Sequence, residues 1–463
     1  MSAVAEAIQS TARVVPLTEA VELNPRPARG SVPDDLAVSF VPMAAVEAGT
    51  GRMDASAGRT YAEVKKGYTF FREGDVLFAK ITPCMENGKM AVARGLRNGV
   101  ACGSTEFHVL RPRSGVNPCY VYYFVSGSRF RADAAHHMTG AVGQKRVPAS
   151  FLASCQIPLP TLDEQHRIVA EIEKQFSRLD EAVANLNRVK VNLKRYKAAV
   201  LKAAVEGRLV PTEAELARCE ERDYESGGRL LRRLLDTRKH AWTARGRYTE
   251  ADGPEMHELL PDGWTWATVD QLLVSLRNGL SRKPENSAPG LPILRISAVR
   301  PLELDVGEHR YYPPQIGEAV GEYVLRAKDL LFVRYNGTKE LVGACALVGA
   351  VQDQLLYPDK LIRGRVVAES LISPGFLAIA ANVGQSRKHI DDLIKTTAGQ
   401  QGIAGGEIKR MPIPLPPVAE QQRIVAEVDR RLSIIREVEA AVDANLKRAQ
   451  ALRQATLARA FAT

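Results

Sequence analysis

The stretch IPLPTLDEQHRIVAEI, Ile157 to Ile172, returns 256 positions later as IPLPPVAEQQRIVAEV, Ile413 to Val428, with 11 of 16 residues kept. No other feature limits the possible folds as much. After the first copy, Ile172, Phe176, Leu179, Val183, Leu186, Val189, Leu193, Tyr196 and Val200 follow at spacings of three and four. After the second come Val428, Leu432, Ile435, Val438, Val442, Leu446, Ala449 and Leu452. Such spacing puts every one of them on one side of a helix, and neither run has an internal Gly or Pro to break it. Each copy therefore predicts a long amphipathic helix, over 161–207 and 417–463, rising roughly 65 Å. A stripe of that length needs a partner, and the simplest partner is the other copy.

Charge predicts the direction of pairing. Asp163, Glu164, Glu171, Glu173, Asp180 and Glu181 lie early in the first helix, and Arg188, Lys190, Lys194, Arg195, Lys197 and Lys202 late. The second helix follows the same trend, from Glu420, Glu427, Asp429, Glu437, Glu439 and Asp443 to Lys447, Arg448, Arg453 and Arg459. Each helix so complements its own dipole, but antiparallel pairing also sets acidic halves beside basic ones. Thr161 and Glu164 have the spacing of a capping box at the first helix start, whereas Pro417 replaces the threonine in the second.

The segments before the helices have another texture: short β-branched runs broken by Gly, Pro, Asn and Asp, as in globular α+β domains. They are weakly alike. EGDVLFAKITP, through Asp75 and Pro83, matches AKDLLFVRYNG, through Asp329 and Gly337, and GQKRV (Gly143 to Val147) matches GQQGI (Gly399 to Ile403). The plan is a domain over 1–160, a helix, a charged linker with a short helix over 208–260, a second domain over 261–416, and a second helix.

Lys and Arg number 63 against 53 Asp and Glu, a net charge of +10, which suits a polyanion such as nucleic acid. Six scattered cysteines, Cys84, Cys102, Cys119, Cys155, Cys219 and Cys345, show no CxxC pair, so reduced thiols are expected rather than zinc or disulfides. With no signal-peptide pattern and no apolar run of about 18 residues, the expected location is cytoplasmic.

Catalytic patterns are poor. No phosphate loop, strand-linked GxGxxG, HExxH or GxSxG is present. NPRP at Asn24 lacks the aromatic residue an adenine methyltransferase would stack on a flipped base. A loose metal-nuclease pattern, Asp34 with Glu63 and Lys65, is the catalytic alternative; a coiled-coil scaffold without sequence preference is the other.

The repeated IPLPxxxEQxRIVAE phrase heading a long helix, twice in one chain after unlike domains, resembles the specificity subunit of type I restriction-modification systems. GDVLFAKITPCMENGKMAVA, GSTEFHVLRP, DLLFVRYNGTKELVG and LLYPDKLIRGRV are similar to its target-recognition domains. The resemblance implies an α+β fold of two target-recognition domains separated by two long helices that pair as an antiparallel coiled coil. It implies a non-catalytic chain that binds double-stranded DNA and assembles with two DNA adenine methyltransferase subunits and with restriction/translocase subunits. S-adenosylmethionine would then belong to the methyltransferase, ATP and Mg to the restriction partner, and no cofactor or metal to this chain. Each domain would read one half of a bipartite target, with the helices as the spacer.

Base reading needs side chains that reach groove edges, Arg or Lys for guanine and Asn or Gln for adenine. At turn-like ends of apolar runs stand Lys80, Thr82, Asn87, Lys89, Gln144, Lys145 and Arg146 in the first domain. Arg282, Lys283, Arg334, Asn336, Lys339, Lys360, Gln400 and Gln401 stand so in the second. An apolar stripe does not require the repeated Glu164, Gln165 and Arg167, matched by Glu420, Gln421 and Arg423. These six are expected to fix each helix to its domain or to bind the methyltransferase.

Overall fold

The computed structural model describes residues 12–462 apart from 142, 243–246, 256–257, 288, 314–317, 352–353 and 398–399. Gly399 of the GQQGI match therefore lies outside the described residues. The chain forms two compact units, 1–189 with 441–463 and 190–440, so each long helix contributes to both.

In the first unit, the strand Val76–Ala79 is buried along its whole length and is central to a four-stranded sheet. Its neighbours are Phe107–Pro112 and Met90–Val92, with Val21–Leu23 on the far side of Phe107–Pro112. A second four-stranded sheet runs Gly58–Thr60, Ala37–Val41, Val100–Gly103, Thr69–Arg72. Arg13–Pro16 pairs with Gln156–Leu159, the IPL of the repeated phrase, so the residues before the first helix are a strand.

The second unit repeats the first sheet. Leu330–Val333 is its buried central strand, with Leu361–Val366 and Cys345–Leu347 beside it and Leu273–Asn278 at the edge. Thr265–Thr268 pairs with Pro412–Leu415, again the IPL strand. One ion pair marks the common plan. Asp75, just before the first central strand, accepts Nε and Nη2 of Arg111, each at 2.8 Å, and the Arg72 backbone N–H at 2.7 Å. Asp329 does the same with Arg365, at 2.6 and 3.0 Å, and the Arg326 N–H at 2.9 Å. Both aspartates are nearly fully buried.

The long helices run Leu162–Val205 and Val418–Ala460. In the first unit Arg453 donates to Asp180 at 2.6 Å and the Thr456 hydroxyl to Gln175 at 3.2 Å. Residue numbers rise along one helix as they fall along the other, and the pairing is antiparallel, with opposite charges meeting as their distribution predicts. The apolar stripe is not uniformly covered. Ile168, Ile172, Phe176, Val200, Leu201 and Ala204 are buried, while Val189, Tyr196, Val438 and Leu452 are exposed. Two helices alone hide only the seam between them; complete burial comes where a domain core covers the helix as well.

At the start of the first helix the Glu164 N–H reaches the Thr161 hydroxyl at 3.4 Å, but the Glu164 carboxylate pairs with Arg167. Its end is a glycine cap: Gly207 has φ +65°, and the Arg208 N–H donates back to Ala203 O at 3.0 Å. The stretch expected to be a linker with one short helix contains two, Glu213–Cys219 and Gly227–His240. Leu230 and Leu234 of the latter are fully buried in the second unit's core, so the stretch is part of that domain. Among the described residues no helix is long and apolar enough to cross a membrane.

Candidate nucleic-acid interface

Both central strands end at the same backbone junction. In the first unit the Lys80 N–H donates to Glu106 O at 2.9 Å, its carbonyl accepts from the Val147 N–H at 2.9 Å, and the Thr82 N–H donates to Lys145 O at 3.0 Å. In the second the Arg334 N–H donates to Lys360 O at 2.8 Å, its carbonyl accepts from the Ile403 N–H at 3.0 Å, and Tyr335–Asn336 pairs with Gln401–Gly402. The backbone joins three distant segments into one edge. It presents Lys80, Thr82, Gln144, Lys145 and Arg146 in one unit, and Arg334, Asn336, Lys360, Gln400 and Gln401 in the other.

The equivalent side chains differ. In the first unit Glu106 and Arg146 form a bidentate ion pair, with Nη2 to Oε1 at 2.8 Å and Nε to Oε2 at 2.9 Å. Its hydrogen bonds hold the Glu106 carboxyl below its usual range. In the second, Lys360 stands where the first has Glu106, and Arg334 lies over the Tyr335 ring at 4.8 Å. The Nε of Arg334 and the Oε1 of Gln401 are buried with no hydrogen-bond partner among the described residues.

Other predicted residues stand apart from the edge. The Lys89 ammonium turns inward to Met43 O at 3.0 Å, and Asn87 is exposed on the turn after Pro83. Arg282 donates to Pro313 O at 3.0 Å and lies over Tyr312; Lys283 and Lys339 are exposed. Three features beside the first edge were not singled out from sequence: Glu106, His108, and a groove of about 460 Å³ lined by Arg26, Tyr68, Phe70 and Lys80. His108 bonds the Asn24 side chain at 3.0 Å and Val147 O at 2.9 Å, and burial lowers its pKa. The quoted GSTEFHVLRP held Glu106 and His108, but nothing local marks which strand end they adjoin.

The repeated Gln has a geometric reason. Gln165 accepts the Asn117 N–H at 2.8 Å and donates to Pro160 O at 2.9 Å. Gln421 accepts the Ser373 N–H at 2.8 Å and donates to Pro416 O at 2.9 Å. Asn117 and Ser373 are the N-caps of the domain helices Pro118–Ser126 and Pro374–Ala381. One amide thus ties each long helix to its own domain. Gln165→Leu should cost about 1–3 kcal/mol by stranding the Asn117 N–H, Pro160 O and Gly115 O, read as a lower denaturant midpoint; an unchanged midpoint removes this role.

The adjoining Glu differs between copies. Glu420 is fully buried, and its two oxygens accept the Glu213 N–H at 2.8 Å and the Trp264 indole N–H at 2.9 Å. Arg423 pairs with Glu213 at 2.7 Å, whereas Arg167 pairs with Glu164 and its side chain is 74% exposed.

The residues of the nuclease pattern are engaged in an ion pair and a helix cap. Lys65 is paired with Asp34 at 2.6 Å, and Glu63 caps Thr60 at 2.7 Å. Among the described residues, no group of three or more His, Cys, Asp or Glu could hold a metal ion.

Residues 18–191 match the model of the type I restriction modification DNA specificity domain. The HsdS subunit from Thermoanaerobacter tengcongensis shares the fold, with a TM-score of 0.53 at 20% identity over 98% of this chain and 97% of that one. A chain from a structure describing complex assembly and conformational transition of the type I R-M system has a TM-score of 0.66 at 19% identity, covering 98% of each. The architecture is thus that of solved type I subunits. In sequence, the specificity subunit of the type I restriction enzyme EcoKI from Escherichia coli K12 is 33% identical over 364 residues, 78% of this chain and 68% of that protein. The chain belongs to the family of type I restriction enzyme specificity subunits.

Proposed function

We propose that each unit reads one half of a bipartite double-stranded DNA target through the edge at the end of its central strand. The observation that carries this reading is a common backbone junction bearing unlike side chains: Lys80, Thr82, Gln144, Lys145 and Arg146 in one unit, Arg334, Asn336, Lys360, Gln400 and Gln401 in the other. A constant frame with variable donors and acceptors suits two different half-sites, since base edges differ in just those groups. Arg26 and Lys80, in the adjoining groove, suit the phosphate backbone.

In this reading the chain is non-catalytic. Two DNA adenine methyltransferase subunits bring S-adenosylmethionine and take the flipped adenine into their own pockets, and restriction/translocase subunits bring ATP and Mg. Helices of 44 and 43 residues, each rising about 65 Å, serve as the spacer between the readers. A cytoplasmic location follows from work on cellular DNA.

Mapping methylated adenines in cells that carry this chain with its methyltransferase should yield a motif of two short half-sites flanking unread base pairs. Replacing Arg334, Asn336 and Gln401 by Ala should relax the half-site of the second unit and leave the other unchanged. A continuous motif, or relaxation of both halves together, overturns the two-reader assignment.

A further inference from the structure

Arg146 is held unusually firmly for a side chain 41% exposed. Glu106 accepts from its Nε at 2.9 Å and its Nη2 at 2.8 Å, and Gln144 O accepts from its Nη1 at 3.0 Å. Its backbone is fixed as well, bridged to Ile81 and hydrogen-bonded to Thr139 O at 2.8 Å. A guanidinium has five N–H groups. Three are occupied here, which leaves one on each Nη.

With Gln144 O on the outer hydrogen of Nη1, the remaining two are neighbours on a fixed plane, and such a pair matches the O6 and N7 acceptors of guanine in the major groove. The carboxylate decides between base and phosphate. An arginine aimed at phosphate loses attraction when an acid neutralises it and adds its own repulsion. One aimed at a base edge gains, because the ordering of its long side chain is complete before DNA arrives. The second unit has no equivalent: Lys360 stands in place of Glu106, and Gly402 in place of Arg146, where the Tyr335 ring occupies the space of a Cβ.

We propose that Arg146 reads a guanine in the half-site of the first unit and that Glu106 is its positioning residue. The assignment rests on the reading of the edge as a DNA reader and adds to it a base identity, a residue and a device present in one unit only.

The test uses the full chain in complex with its methyltransferase, titrated on duplexes in which each base pair of the mapped target is replaced in turn. Arg146→Ala should reduce the preference for one G·C pair roughly 5- to 150-fold. Preference elsewhere, and the slope of affinity against salt, should stay as they are. Arg146→Lys keeps the charge without the fork and should lose the same preference. Glu106→Ala should weaken preference at that pair alone, and Glu106→Gln, which keeps one acceptor, should weaken it less; a structural role would lower affinity at all positions. An equal loss on every duplex with a shallower salt slope makes Arg146 a phosphate contact and overturns the proposal. So does lost preference at a pair without guanine. A parent complex that binds all duplexes alike overturns the two-reader function itself, a result distinct from any of these.

Discussion

Asp75→Ala should lower the stability of the first unit by about 3 kcal/mol, read by calorimetry as an early shift of one transition while the other stays in place. The carboxylate is almost fully buried, and its loss leaves the Arg111 guanidinium, 22% exposed, without its bidentate partner and the Arg72 N–H without an acceptor. Removing one member of a buried pair costs about 3–5 kcal/mol, and the partial exposure of Arg111 places this case at the lower end. Replacing both Asp75 and Arg111 with apolar residues should cost less than Asp75→Ala, because no charge is then left unpaired. Asp329→Ala should act alike on the second unit, where Arg365 and the Arg326 N–H take the same positions. If either single substitution costs under about 1 kcal/mol, the buried pair is not what anchors the central strand.

Glu420→Ala should destabilise the second unit by about 2–4 kcal/mol, since it leaves the Glu213 N–H and the Trp264 indole N–H buried without acceptors. In a unit of this size the shift is roughly 5 to 15 °C. Glu420→Gln is informative because both native oxygens face donors, so an amide must point its NH2 at one of them; a loss of about 1–2 kcal/mol is expected. Burial raises the Glu420 pKa despite the hydrogen bonds. Its folded pKa thus exceeds the unfolded one, so this group favours folding most below the carboxylate's ordinary pKa, and that contribution is lost as pH rises through the folded value. Glu420→Gln should flatten this part of the stability profile above pH 4.5; a profile identical to the parent's would show that Glu420 does not titrate in this way.

The repeated phrase that heads each helix keeps a Gln with the same partners in both copies. Gln165 and Gln421 need one acceptor and one donor each, to an N-cap N–H 48 residues earlier and a proline carbonyl five residues earlier. Glu420 supplies two acceptor oxygens, for the Glu213 N–H and the Trp264 indole N–H. Hydrogen bonds at the join of helix and domain therefore account for the Gln of both copies and for the Glu of the second, while Glu164 and the exposed Arg167 pair with each other in the first.

Periodicity and repetition were legible in the chain alone, because they are local properties. Spacings of three and four define a helix face wherever they occur, the charge gradient gives the antiparallel direction, and buried runs such as Val76–Ala79 and Leu330–Val333 are strands with a base following each. The amino acids alone thus determined two long helices, two α+β domains and the strand ends at Lys80 and Arg334. Only tertiary structure decided which side chains meet there. Glu106 reaches Arg146 across 40 residues, Glu420 reaches Glu213 across 207, and Lys89 turns away to Met43 across 46. Such pairs have no period or spacing of their own: they form where the backbone brings a buried donor and acceptor together, and the cost of leaving either unpaired selects them only after the chain has folded.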